Sequence, residues 1–237
     1  MLQTQQVNNK FIEGQVLIID KPLSWTSFNV VKKVELLIRK HFQLKKIKVG
    51  HAGTLDPLAT GLLIVCTGKM TKQIDKIQSG VKEYLATIEF GKTTPSYDLE
   101  TQFDAEFPTD HINKELIIER MKIFIGEIDQ IPPLFSAKSI DGKRAYTFAR
   151  KGVDMELKSN KVTISDLEII EYNHPEIRIR IRCSKGTYIR SFAHDLGKVL
   201  NSGAYLKALR RTISGDYQIK DAITIDEFQK NLLSLQP

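Results

Sequence analysis

Apolar positions change their spacing several times along this chain of 237 residues, and each change marks an element. Val16 to Ile19 form a continuous apolar run that ends at Asp20-Lys21-Pro22, the pattern of a short buried strand entering a turn. From Val30 the spacing becomes three and four. Val30, Val31, Val34, Leu37 and Ile38 line one face of a helix running through Lys40, with Ser27 or Asn29 as its cap. Leu62 to Cys66 is a second apolar strand, residues 69–79 read as helical, and Tyr84 to Phe90 reads as a strand ended by Gly91. A second amphipathic helix spans Asn113 to Phe124, with Leu116, Ile117, Met121 and Phe124 on one face. Pro132-Pro133 stops regular structure. Strands at 161–170 and 176–184 and a helix at 188–200 complete the pattern. Strands and helices are mixed without strict βαβ alternation or internal repeat, which predicts an α+β fold.

The segment Ile177-Arg178-Ile179-Arg180-Ile181-Arg182-Cys183 alternates with period two, so one strand face carries three arginines and the other three isoleucines and a cysteine. The apolar face meets the core. The arginine face has two readings, a solvated surface or a set of contacts to the phosphates of a nucleic acid.

Composition narrows the class without naming a function. An apolar content of 41% suffices for a core without disulfides or metals, and a formal charge of +7 favours a polyanionic partner. The apolar run around Leu62 to Cys66 falls far short of the ~20 residues needed to cross a bilayer. Met1 to Gln6 has neither the basic nor the apolar region of a secretion signal. A cytoplasmic protein is expected, with Cys66 and Cys183 as buried reduced thiols.

Chemistry concentrates between residues 49 and 61, Val-Gly-His-Ala-Gly-Thr-Leu-Asp-Pro-Leu-Ala-Thr-Gly. Pro57 biases Asp56 away from helix, and Gly50, Gly53 and Gly61 let the backbone bend tightly or approach a ligand closely. Such a loop holds a carboxylate still, for an Asx-turn or for catalysis. Other sites fail on spacing. Gly61 to Thr71 lacks a P-loop because Leu63 stands where glycine is required and Met70 follows Lys69. The histidines and cysteines show no zinc-ligand spacing. Neither a nucleotide nor a metal cofactor is expected.

Gly50-His51-x-Gly53-x-Leu55-Asp56-Pro57-x-x-Thr60-Gly61 resembles the signature loop of the tRNA pseudouridine synthase B family, whose bacterial members isomerise uridine 55 of the tRNA T loop. Asp20-Lys21-Pro22 with Ser24-Trp25-Thr26-Ser27, then Lys82-Glu83-Tyr84, then Cys183-Ser184-Lys185-Gly186-Thr187-Tyr188-Ile189-Arg190 with Asp195-Leu196-Gly197, resemble three further family blocks in the family's order. The resemblance implies a pseudouridine synthase fold, a mixed, mostly antiparallel sheet flanked by helices around a catalytic cleft. It implies cofactor-free isomerisation after the base is flipped out of its stack. Asp56 is implied as the catalytic carboxylate, Arg190 as its cation partner, and Tyr84 as the ring that stacks on the base and is a candidate to relay the C5 proton. His51 is implied to stabilise the vacated stack, while Tyr188 and Leu209 line the uridine pocket. Lys21 and Pro22 build structure near the pocket, and Lys185 joins the substrate-binding set.

The chain departs from the family after Gly91, where a Thr-Asp-Thr-like stretch is replaced by Thr94-Pro95-Ser96-Tyr97-Asp98. Pro95 cannot ionise, although Asp98 keeps its matching place. One catalytic domain over residues 1–237 is expected, with a flexible N-terminus at 1–13, an RNA-clamping insertion at 134–152 that includes Lys143, Arg144 and Arg150, and no C-terminal PUA domain. The expected partner is the tRNA T stem-loop, held by a monomer through Lys45, Lys46, Lys48 and the strand arginines, with no membrane. A tRNA-binding chaperone without catalysis and a synthase for another RNA site are the alternatives.

Overall fold

A computed structural model describes residues 10–136, 139–140, 143–144 and 157–235. These residues group into two compact units, one of 1–83 with 210–237 and one of 84–209. Strands β1 (Val16–Lys21), β2 (Val49–His51), β3 (Ala59–Thr67) and the end of β12 (Ala204–Ser214) carry the first unit. β1 pairs antiparallel with β3 from Val16↔Cys66 to Lys21↔Gly61. β2, which the apolar spacing does not signal, pairs with the other end of β3, His51 opposite Val65. β3 starts at Ala59, so Thr60 and Gly61 are strand residues and not part of the loop.

Helix α1 (Ser27–His41) buries Val30, Val34 and Ile38 completely. Its cap is Thr26 rather than Ser27 or Asn29. The Thr26 hydroxyl accepts from the Asn29 amide, and the Asn29 side chain accepts from the Thr26 amide, a capping box closed by asparagine. Helix α1 packs on helix α5 (Ile225–Leu233), which carries its own capping box of Thr224 and Glu227. Where one helix is expected over 69–79, the structure has a 3₁₀ helix at Gly68–Gln73 and a single α turn, α2 (Ile74–Ile77). Of the segment expected to be flexible, residues 10–13 are instead helical: Phe11 is buried against Phe42 and its carbonyl accepts from the Thr67 hydroxyl.

In the second unit β4 (Lys82–Phe90), β7 (Gly126–Gln130), β10 (Asn160–Asn173) and β11 (Glu176–Cys183) lie with β12 in the order β12-β4-β11-β10-β7. Ile177, Ile179, Ile181 and Cys183 are all buried, as the alternation requires. The opposite face carries acids as well as arginines. Arg178, Arg180 and Arg182 lie opposite Glu171, Glu168 and Asp166 in the β10–β11 register, and Arg180 pairs with both Asp166 and Glu168. Each cation already faces an acid. Helix α3 (Lys114–Met121), capped by Asn113, ends three residues short of the expected Phe124; that ring lies in the 3₁₀ turn that follows and meets Phe192 of helix α4 (Ile189–Val199) edge to face, 5.1 Å apart. Cys66 and Cys183 are both buried thiols.

Four short strands pair two by two: β5 (Lys92–Thr93) with β6 (Ala105–Glu106), and β8 (Ser139–Ile140) with β9 (Lys143–Arg144), the second pair flanking Asp141-Gly142 in sequence. Of the clamp expected at 134–152, residues 137–138, 141–142 and 145–152, Arg150 among them, lie outside the described residues. Among the described residues no helix is long and apolar enough to cross a membrane.

Candidate active site

Two buried cations grip the Asp56 loop of the first unit. Lys21, at the end of β1 with no exposed surface, donates to the carbonyls of Trp25 (2.5 Å), Pro22 (3.0 Å) and Pro57 (3.4 Å). Arg211, on β12, donates from Nε to Leu62 (2.7 Å) and from its terminal nitrogens to Gly53 (3.0 Å) and Thr54 (3.4 Å). Between these anchors the Ser27 hydroxyl accepts from the Leu55 amide at 2.8 Å and donates to the Leu55 carbonyl at 3.1 Å. The backbone is thus tied on both sides of Asp56, which stays half-buried, and Ala59 N closes a turn onto the Asp56 carbonyl. Gly61 is required here: its φ is 98°, and a Cβ would stand 2.4 Å from the Arg211 carbonyl.

The electrostatics follow from burial. Desolvation pushes the Lys21 ammonium down to about 8, against the nearby charge of Asp56 and with help from Arg211. His51, on β2, is lowered below the ordinary imidazole range by burial and then by Arg211, so it is neutral at pH 7. The neighbouring Arg210 points the other way and makes a two-pronged pair with Asp20, at 2.6 and 3.0 Å.

In the second unit Tyr188 and Arg190 share the start of α4. The buried Gln130 side chain donates to the Tyr188 carbonyl (3.0 Å) and accepts from its amide (2.8 Å), and Ser191 donates to the Ile131 carbonyl. This fixes the helix start. Arg190 is buried, with Nε 3.7 Å from Asp98 and a bond to the Ser96 carbonyl at 3.2 Å. Asp98 is itself oriented by the Glu100 amide at 2.9 Å. Tyr84 is buried on β4, Leu209 is half-buried on the adjacent β12, and Lys185 is exposed in the turn before α4.

Asp56, His51 and Lys21 therefore belong to one unit, and Tyr84, Arg190, Tyr188, Leu209 and Lys185 to the other. Three parts of this framework carry no reading from sequence: Arg211, Gln130, and Asp98 as the partner of Arg190. The Leu209-Arg210-Arg211 run is visible in the sequence, and strand alternation sends successive arginines to opposite sides. No sequence signal marks Gln130. Among the described residues no group of three or more His, Cys, Asp or Glu side chains is placed to hold a metal.

Two buried cations thus fix the Asp56 loop on an α+β scaffold, and comparison with known proteins makes the class specific. Residues 39–189 match the TruB family pseudouridylate synthase N-terminal domain, and residues 190–236 match the tRNA pseudouridylate synthase B C-terminal domain. Curated proteins called tRNA pseudouridine synthase B are 56% identical in Phocaeicola vulgatus, over 92% of this chain and 93% of that one, and 57% identical in Flavobacterium johnsoniae, over 94% and 98%. A chain of the solved Cbf5-Nop10-Gar1 complex is 30% identical with a TM-score of 0.71, covering 95% of this chain and 55% of that one. A chain of an H/ACA RNP bound to a substrate RNA containing 2′-deoxyuridine is 27% identical with a TM-score of 0.67, covering 95% and 55%. This chain belongs to the TruB family of pseudouridylate synthases. Its activity is the isomerisation of uridine to pseudouridine.

Proposed function

We propose that this enzyme acts on tRNA, at uridine 55 of the T loop, with Asp56 as the carboxylate on which the reaction depends. The observation that carries the reading is the double grip on residues 53–57 by Lys21 and Arg211, which holds one carboxylate in a fixed place beside buried positive charge. Preorganised groups of this kind are aimed at charge that develops during reaction and need no rearrangement when it appears. The two curated relatives described above are both called tRNA pseudouridine synthase B, which supports tRNA as the substrate.

The isomerisation breaks the bond from uracil N1 to ribose C1′ and makes one from C5 to C1′. N1 gains a proton and C5 loses one, so nothing is oxidised and no co-reactant is consumed. Asp56 attacks the sugar or the base, or assists formation of a glycal-like intermediate. Tyr84 stacks on the base and relays the C5 proton, and Arg190 supplies the positive charge. Tyr188 and Leu209 line the uridine, and Lys185, exposed in its turn, meets the RNA backbone. His51, uncharged at neutral pH, takes the place left in the stack by the flipped base; a neutral ring suits that role better than an imidazolium. Lys21 and Pro22 build the loop and do not touch the reacting atoms.

Asp56→Asn tests the assignment because it keeps size and removes only charge. With enzyme in excess over an unmodified tRNA transcript, binding should stay near the parent value and pseudouridine should not form. A rate within about tenfold of the parent, a barrier change of roughly 1.4 kcal/mol, removes Asp56 from the mechanism.

A further inference from the structure

Tyr97 and His194 have no part in the reaction outlined above, yet they meet beside Arg190. Tyr97 sits in left-handed backbone at φ 63°, which a residue with a bulky side chain adopts only when its surroundings enforce it. The surroundings do so. Tyr97 N donates to the Thr94 carbonyl at 3.1 Å, and the Tyr97 carbonyl accepts from Leu206 N at 2.9 Å. The Thr94 and Ser96 hydroxyls both donate to the Asp98 carbonyl, at 2.7 and 3.2 Å. This backbone lays the Tyr97 ring flat on the His194 imidazole, with centroids 3.8 Å apart and planes 11° from parallel.

His194 follows Arg190 by four residues on α4, so the two side chains project from the same helix face. Asp98 follows Tyr97 by one. Loop 94–98 and α4 are therefore joined by the ring stack, by the Arg190–Asp98 pair and by the Arg190 bond to the Ser96 carbonyl. At 3.7 Å that pair is longer than a directional N–H···O bond and orients the guanidinium weakly. The stack is rigid and uncharged, because burial first, and Lys198 next, hold His194 down to about 4 against the pull of Asp104.

We infer that the Tyr97–His194 stack positions Arg190, setting the spacing between loop 94–98 and α4 so that the guanidinium keeps one orientation against Asp98 and the Ser96 carbonyl. This rests on the reading of Arg190 as a group the reaction uses. The stack acts through Arg190 and meets neither substrate nor reacting atoms, so its loss should slow the chemical step and leave RNA binding alone.

The test uses the full chain and an unmodified tRNA transcript, with single-turnover rate, tRNA Kd and urea midpoint measured for each variant. Tyr97→Ala and His194→Ala should each lower the rate about tenfold with Kd within about twofold, while Tyr97→Phe, which keeps the ring, should stay within about twofold of the parent in both. Combining the two alanines should add little to either alone, because both remove the same stack. Arg190→Ala is measured alongside. If it is impaired while His194→Ala keeps the parent rate, the positioning role is overturned and the reading of Arg190 stands. If Arg190→Ala itself keeps the parent rate, that reading fails and the inference goes with it. Should Tyr97→Ala fail to fold, His194→Ala and Tyr97→Phe decide the question.

Discussion

The Lys21 ammonium donates to the carbonyl of Pro57, the residue that follows Asp56, so a fully buried cation holds the Asp56 loop by its backbone. Burial lowers the folded-state pKa of Lys21 to about 8, from an ordinary value of 10.5. Between these values the unfolded chain binds more protons at this site than the folded one, so the contribution of Lys21 to stability rises with pH. The parent is therefore expected to gain stability relative to Lys21→Met between about pH 8 and pH 10, with a slope of at most about 1.4 kcal/mol per pH unit. Urea unfolding of both proteins at three pH values in that window measures the difference. A difference that shrinks as pH rises contradicts burial as the cause of the shift.

Arg211 reaches three carbonyls through a planar fork that lysine cannot reproduce. Arg211→Lys should leave the Gly53 or Thr54 carbonyl without its donor, at about 1–3 kcal/mol of stability. It should also loosen Asp56, lowering the single-turnover rate by about tenfold or more while tRNA Kd changes little. Unchanged rate with reduced stability would make the residue a structural anchor alone.

Gly61→Ala probes the same junction from the other strand. The substitution meets both a positive φ and the backbone of Arg211, which cannot swing aside as a side chain would. A loss of more than about 3 kcal/mol is expected, since backbone strain of about 1–3 kcal/mol is joined by the clash. The urea midpoint and its slope report it.

The parts of the fold that are legible in sequence are those governed by local periodicity. The face of α1 and the alternation of β11 follow from which positions are apolar, and burial follows the same positions. The cap of α1 is harder to place because Asn29 stands where a capping box normally has Glu or Gln, which hides Thr26 as its partner. Strand β12, Ala-Tyr-Leu-Lys-Ala-Leu-Arg-Arg-Thr-Ile-Ser, has no clean alternation and gives no strand signal. Its two arginines show the limit for the site. Alternation requires Arg210 and Arg211 to face opposite ways, but only tertiary structure decides that Arg211 is buried under the Asp56 loop and Arg210 turns to Asp20. The motif residues themselves are legible through the family resemblance. What orients them, Gln130 at Tyr188 and Asp98 at Arg190, depends on contacts across tens of residues that no local pattern encodes.

The cations expected to meet RNA differ in their surroundings. Arg180 on β11 is paired with Asp166 and Glu168, so moving it onto a phosphate would strand two carboxylates. Lys45, Lys46 and Lys48 are exposed in the segment leading to β2 and the Asp56 loop. Phosphate contacts require only positive charge within reach, which exposed lysines on long stems supply. Arg180→Ala should accordingly leave the salt dependence of tRNA binding unchanged. Neutralising the three lysines together should flatten the log–log slope by about 0.7 to 0.9 for each phosphate they neutralise in the parent. Titrations of an unmodified tRNA transcript at several salt concentrations give both slopes. If Arg180→Ala flattens the slope and the triple lysine variant does not, the RNA runs along the β11 face and the acids of β10 are exchanged for phosphate on binding.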